Sequence, residues 1–255
     1  MTLSFLGTGT SQGVPVVTCN CPVCLSNDPR DCRLRSSVLV RTDLGSSILI
    51  DIGPDFRYQM LREGINHIDA ILITHAHRDH VAGIDDIRPF NYTQQSKIKL
   101  YTNRLASNIL QHDYGYIFDS HIYPGLPEVD LITVSGDTPF DVARQNVIPV
   151  KAMHKDMPIL GFRLDKLAYI TDSNYIEDSE LTKLSGVDVL VINALCQEKH
   201  FSHFSLQESL QIIERIAPAK AYITHVSHKM GLYDEVEHIL PKDVHLAYDG
   251  LHLNI

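Results

Sequence analysis

Four side chains able to hold a metal ion fall within six consecutive residues in His75-Ala76-His77-Arg78-Asp79-His80. The apolar run Ala70–Thr74 leads straight into them, and where a strand gives way to a loop, side chains two apart can converge. Imidazole and carboxylate together suit zinc, manganese or iron. A lone histidine after a strand is ordinarily a surface or hydrogen-bonded residue. Four ligand-type groups at H-x-H-x-D-H spacing point instead to a metal site.

Three further ligand types each follow an apolar strand pattern. Val147–Met153 ends at His154, Leu167–Thr171 at Asp172 and Ala221–Thr224 at His225. Each can project from one sheet edge, where open α/β architectures place ligands. Alone, Asp172 would pass for a turn cap and His154 for an exposed residue. With the cluster they make seven ligands, enough for two metal ions with Asp172 bridging and a water or hydroxide completing both shells. Asp51 ends another apolar strand, Ser47–Ile50, just before the sharp turn of Gly53-Pro54.

A second cluster, Cys19-Asn20-Cys21-Pro22-Val23-Cys24, brings three thiols into six residues. The chain has 5 cysteines, an odd number, and begins without a basic, then apolar, secretory leader. In a reducing compartment such crowding favours metal ligation over disulfides. A structural zinc wants four tetrahedral ligands, commonly Cys3His, and His228 is a candidate for the fourth. Cys32 and Cys196 are expected as small core residues.

The elements that must position these groups alternate along the 255 residues without a composition break or a fixed repeat. Strands are expected at Leu3–Leu6, Ser37–Arg41, Ser47–Ile50, Ala70–Thr74, Ile98–Tyr101, Val147–Ala152, Ala168–Thr171, Val187–Ile192, Ala221–Thr224 and His245–Ala247. Helical periodicity marks Phe56–Arg62, Leu105–Gln111, Leu206–Ile216 and Tyr233–Ile239, with Ser205 and Glu208 spaced as a capping box before the third. His112–Pro139 has weaker periodicity and is expected as a surface excursion. One α/β domain over residues 1–255 is the simplest division. No apolar run approaches the ~20 residues of a membrane span, so a cytoplasmic protein is expected. The net charge of −9, with no Lys/Arg cluster, argues against an extended nucleic-acid surface. A small phosphate ester at a metal site is not excluded, since bound metal reverses the local charge.

The H-x-H-x-D-H segment and the ligands spaced behind it resemble the metallo-β-lactamase superfamily along the whole chain. That resemblance implies an αββα sandwich with metals at the edge between its sheets. It also implies one metal on His75, His77 and His154, a second on Asp79, His80 and His225, and Asp172 between them. Asp51 would orient a ligand histidine by a hydrogen bond. Within the superfamily, Gly7–Ser11, the C-x-C-x-x-C run, Asp31–Ser37 and Thr224-His225-Val226-Ser227-His228 resemble the PhnP-like cyclic phosphodiesterase branch. By that likeness His228 completes a structural zinc site with Cys19, Cys21 and Cys24.

Two adjacent Lewis acids, zinc or manganese, lower the pKa of a shared water from ~15.7 toward ~7 and neutralise phosphoryl oxygens. A leaving alkoxide still needs a proton. Donor candidates lie in His200-Phe201-Ser202-His203, between a strand and the helix starting at Leu206. The branch has a catalytic histidine here, which maps onto His203, with His200 second. Asp85 and Asp86 follow the metal loop and are expected to assist proton transfer or orient His203, unless they are solvated carboxylates at a helix start. The expected activity is hydrolysis of small cyclic phosphates of the ribosyl 1,2-cyclic or nucleoside 2′,3′-cyclic type, with a homodimer as the expected assembly. The alternatives are a tRNA 3′-processing nuclease, a thioester or lactam hydrolase, and a non-catalytic module that keeps metals for stability or ligand sensing.

Overall fold

The computed structural model describes residues 1–118 and 125–255. The first half of the chain runs β1 (Thr2–Gly7), β2 (Ser37–Arg41), β3 (Ser47–Ile50), α1 (Phe56–Arg62), β4 (Ala70–Leu72), α2 (Arg78–Val81), α3 (Arg88–Gln94), β5 (Ile98–Thr102), α4 (Arg104–Asp113), α5 (Gly115–Phe118) and β6 (Val129–Thr133). The second half runs β7 (Phe140–Val142), β8 (Gln145–His154), β9 (Met157–Leu164), β10 (Leu167–Ile170), α6 (Asp178–Leu181), β11 (Val189–Asn193), α7 (Leu206–Ile216), β12 (Lys220–Thr224), α8 (Tyr233–Ile239), β13 (Val244–Leu246) and β14 (His252–Asn254). Each half builds one sheet, in the orders β14-β1-β2-β3-β4-β5-β6 and β13-β12-β11-β10-β9-β8-β7. The last strand crosses back to pair with the first.

Near-continuous apolar strands arise because both faces of both sheets are covered. Strand alternation then divides their side chains between layers. Ile48, Ile50, Ala70 and Leu72 point between the sheets, where they meet Leu167, Tyr169, Val189 and Val191. Leu49 and Ile71 point outward onto Phe56, Ile87 and Leu110. Leu190 and Ile192 point outward onto Leu206, Ile212 and Ile213 of α7. The result is the αββα sandwich expected from the resemblance. Ser205 caps α7 with the full reciprocal box to Glu208, an arrangement whose cap is typically worth ~1 kcal/mol.

The sequence expectation omits the short elements β7, β14, α2, α3 and α6, and two further stretches differ from it. Part of His112–Pro139 is not an excursion, because β6 adds to the sheet edge in parallel with β5. Only one neighbour and a half-buried face support this strand, so its pattern is weak. Residues 119–124 of that stretch lie outside the described residues. The expected strands also omit β9, whose Pro158 and Gly161 interrupt its β signal. Pro158 sits near the start of the strand. Gly161 is needed for close packing, since a Cβ there would lie 2.8 Å from Ile170 Cγ1 and 3.0 Å from the Tyr169 carbonyl. Among the described residues no helix is long and apolar enough to cross a membrane.

Candidate metal centre

Parallel pairing aligns the C-terminal ends of β3 and β4 in one sheet, and of β10, β11 and β12 in the other. Two antiparallel steps turn β8 the same way as β10. Asp51, His75, His154, Asp172 and His225 therefore all leave from one edge of the sandwich. Asp51, Asp172 and His225 adopt left-handed backbone with φ of 63°, 58° and 56°. That region is uncommon for non-glycine residues, and it persists where the surroundings over-determine it. Each such turn ends a strand abruptly, leaving Asp172 and His225 at the cleft and Asp51 behind it.

Two ligand groups at this edge hold the seven expected residues, and a third overlaps them as His154, Asp172 and His203. His75, His77 and His154 make one, and Asp79, His80, Asp172 and His225 make the other, with the ligand atoms of each group all within 4.8 Å of one another. Asp172 faces both groups. Its Oδ1 lies 3.3 Å from His80 Nε2 and 2.9 Å from His225 Nδ1, and its Oδ2 lies 3.7 Å from His75 Nε2. His77 is the exposed member; His75, His80, His154, Asp172 and His225 are buried.

Most of these rings are held by the nitrogen that faces away from the cleft. His80 Nδ1 donates to Asp51 Oδ2 over 2.7 Å, and His154 Nδ1 donates to the Ser202 carbonyl over 2.8 Å. Asp51 is fully buried and also accepts from the Thr74 amide and hydroxyl. The Thr74 hydroxyl in turn lies 3.0 Å from His75 Nδ1. His225 is braced by Ser36 Oγ and Thr10 Oγ1, each 3.2 Å from a ring nitrogen. The outcome is a set of buried Nε2 atoms, on His75, His80 and His203, without a hydrogen-bond partner among the described residues. Buried polar atoms are rarely left so, and imidazole nitrogens oriented from behind suit a metal.

Charge gives the same answer. Burial opposes a proton on His80, yet Asp172, Asp79 and Asp51 around it hold its pKa well above the usual histidine range. Burial likewise resists ionisation of Asp172, and His225 and His80 outweigh it, taking that carboxyl well below its ordinary value. His75, by contrast, is pushed well down by burial and then by His80, which leaves it neutral with a free lone pair. Carboxylates this concentrated call for positive charge, and a divalent cation would displace the His80 proton. Replacing Asp51 by alanine should weaken metal affinity roughly 10–100-fold. Competition with a chromophoric chelator measures this, and an unchanged affinity would show that Asp51 does not orient His80.

Cys19, Cys21, Cys24 and His228 form a separate group. Their sulfurs lie 3.2, 3.4 and 3.5 Å from His228 Nδ1. Separations of this order are what a tetrahedral ion with ~2.3 Å bonds to sulfur and ~2.0 Å bonds to nitrogen requires. The Cys24 backbone amide draws the Cys21 thiol down to about 6, whereas burial pushes Cys24 up to about 11. Asp31 holds the same loop to the second half of the chain, accepting from Ser26 Oγ and from the Tyr233 amide. Cys21→Ser should remove one zinc per chain and lower the thermal midpoint while leaving metal at the sheet edge, as metal analysis and calorimetry would show. Full zinc content in the variant would rule out this ligation. Of the remaining cysteines, Cys196 is buried as expected, but Cys32 is exposed, because it follows a short turn on the surface.

The donor candidates separate in space. His203 Nε2 faces the cleft, 3.5 Å from Asp172 Oδ2, and its Nδ1 is 3.0 Å from Ser202 Oγ. His200 stands behind it, with its Nδ1 3.4 Å from His203 Nδ1. Asp85 and Asp86 are not brought to His203. Asp85 accepts from Tyr116 over 2.7 Å, and Asp86 lines a groove with Phe56, Met60 and Phe90. The short helical turn Ile84–Ile87 carries both carboxylates away from the ligands. The bracing roles of Thr74, Ser36, Thr10 and Ser202 are not legible in the sequence, since small hydroxyl residues carry no spacing signal of their own.

Comparison with known proteins agrees with this construction. Residues 46–226 match the family described as the beta-lactamase superfamily domain. An octanoyltransferase of Porphyromonas gingivalis is 40% identical over 96% of the chain, which spans 50% of that relative's length. A crystal structure of a new diphosphatase from the PhnP family is 40% identical, with a TM-score of 0.92 over 99% of this chain and 96% of that one. Zinc-bound PqqB from Methylobacterium extorquens shares the fold at 20% identity, with a TM-score of 0.78 and full coverage of both chains. The ligand-bearing sheet edge and these matches together show that the chain belongs to the metallo-β-lactamase superfamily, close to its PhnP-like branch.

Proposed function

We propose that the chain is a phosphodiesterase acting on small phosphate esters, with cyclic ribosyl or nucleoside phosphates as its first candidates. His75, His77 and His154 would hold one divalent ion, Asp79, His80 and His225 a second, and Asp172 would serve both. Cys19, Cys21, Cys24 and His228 would hold a structural zinc. When bound, the ion pair supplies Lewis-acid charge to a phosphoryl group and lowers the pKa of water. The observation that carries the reading is His203, whose Nε2 is buried, has no hydrogen-bond partner among the described residues and is directed at the Asp172 carboxylate that faces both ligand groups. From there it can hand a proton to a departing alkoxide beside the phosphoryl position. Ser202 sets two rings at once, His154 through its carbonyl and His203 through its hydroxyl.

The test is turnover by metal-loaded protein of ribosyl 1,2-cyclic phosphate, 2′,3′-cyclic nucleotides, an aryl phosphodiester, octanoyl thioester and pre-tRNA. Metal-dependent cleavage of the phosphates, lost in Asp79→Ala, is the expected result. A second reading has one specific observation behind it, the name of the octanoyltransferase relative. Cleavage of the thioester alone would favour that reading. Full metal content without turnover of any of them would favour a ligand-binding module.

A further inference from the structure

The cleft does not end at the ligands. His77 and His154 form one wall of a concavity of about 520 Å³ whose other lining includes Lys155, Met157, Phe201 and Ser202. Through Leu105 and Pro158 it shares a border with a second of about 630 Å³, where Asn103, Arg104 and Asn108 stand beside apolar walls from Met153, Ile159 and Leu160. Both sizes fall within the range of small-molecule sites.

Phe201 is 71% exposed, although it lies between two histidines of the site. Its ring packs against His200 with centroids 4.5 Å apart, and Lys155 Nζ lies 5.9 Å from its centroid. The rim carrying it is tied together by Asn174. That side chain donates to the Phe201 carbonyl over 3.4 Å and accepts from the Lys155 amide over 2.7 Å, while its own amide donates to Met153. The next residue, Tyr175, is 56% exposed and opens onto the second concavity. An apolar ring kept in water on a tied rim, beside a cation and the ligand histidines, offers a stacking face.

We propose that Phe201 and Lys155 form a shelf for the nucleobase of a nucleoside phosphate whose phosphoryl group sits at the ligand groups. This rests on reading those groups as the reaction centre. A planar base fits the exposed ring, and base–aromatic stacking is tolerant of base identity. Lys155 adds a cation within reach of the ring and of phosphate oxygens. The polar side chains Asn103, Arg104 and Asn108 beyond Leu105 can take a sugar or further phosphate.

The chain contains no tryptophan, so Phe201→Trp places a single reporter on the shelf. Titrating this variant with adenosine 5′-monophosphate should quench its fluorescence saturably, and ribose 5-phosphate should not. Independently, Phe201→Ala should lower the kcat/KM preference for a nucleoside diester over a methyl diester by roughly 10-fold. Equal quenching by the two ligands, or no quenching by the nucleotide in a variant with native circular dichroism, overturns the shelf. Saturable quenching without any diester turnover would support the shelf and overturn only the hydrolase reading. Tight quenching by a tRNA 3′ end with none by the mononucleotide would overturn the small-molecule assignment.

Discussion

Asp172→Ala should strip metal from both ligand groups and lower diester turnover by ~10³-fold or more. The reason is position. Among the described residues Asp172 is the carboxylate with an oxygen toward each group, Oδ1 near His80 and His225 and Oδ2 near His75. Alanine removes both contacts together. It also leaves His80 with Asp79 and Asp51 as its remaining carboxylate neighbours, so the charge that favours a divalent ion falls. Elemental analysis of purified variant and parent gives the readout, with the Cys/His group as internal control because its zinc should remain. Unchanged metal at the sheet edge would show that Asp172 is not shared.

His203→Gln should behave differently. Turnover of an alkyl diester should fall roughly 10²–10⁴-fold, the usual contribution of a general acid, while metal content stays whole. Glutamine keeps a polar side chain of similar reach but has no titratable proton to give. A substrate whose leaving group departs unaided as a stable anion, such as nitrophenolate, should lose much less. Loss of metal in the variant would instead make His203 a ligand, a role its place with His154 and Asp172 in a third ligand-type group allows. The matching His200→Gln variant should have a smaller effect, because His200 stands behind His203 and Ser202, with its Nδ1 on those two residues. A larger loss from His200 would reverse the assignment.

These expectations differ in how far they could be reached from residues alone. The H-x-H-x-D-H run, the three later strand-end ligands and the cysteine trio are all visible in the sequence. Ligands must be His, Cys or Asp, and strand ends announce themselves by apolar runs that stop. The alternation of strands and helices, and the Ser205–Glu208 cap, are legible for the same reason: each is a pattern closed within a few neighbours. β6 and β9 are less so, one because an edge strand needs burial on one face only, the other because Gly161 serves packing against Tyr169 and Ile170 rather than local propensity.

What the sequence by itself determined, then, was the inventory of donors and the elements that end at them. Tertiary structure decided which donors share a neighbourhood. Stacking the two sheets brings Asp172, from the second half, within 3.3 Å of His80, from the first. It also decides which nitrogen of each ring is held from behind, by partners as distant in sequence as Asp51 and Ser202. The same packing turns Asp85 toward Tyr116 and leaves Phe201 facing water. Spacing along a chain constrains only near neighbours, whereas a metal centre is assembled from groups whose approach depends on how whole layers pack.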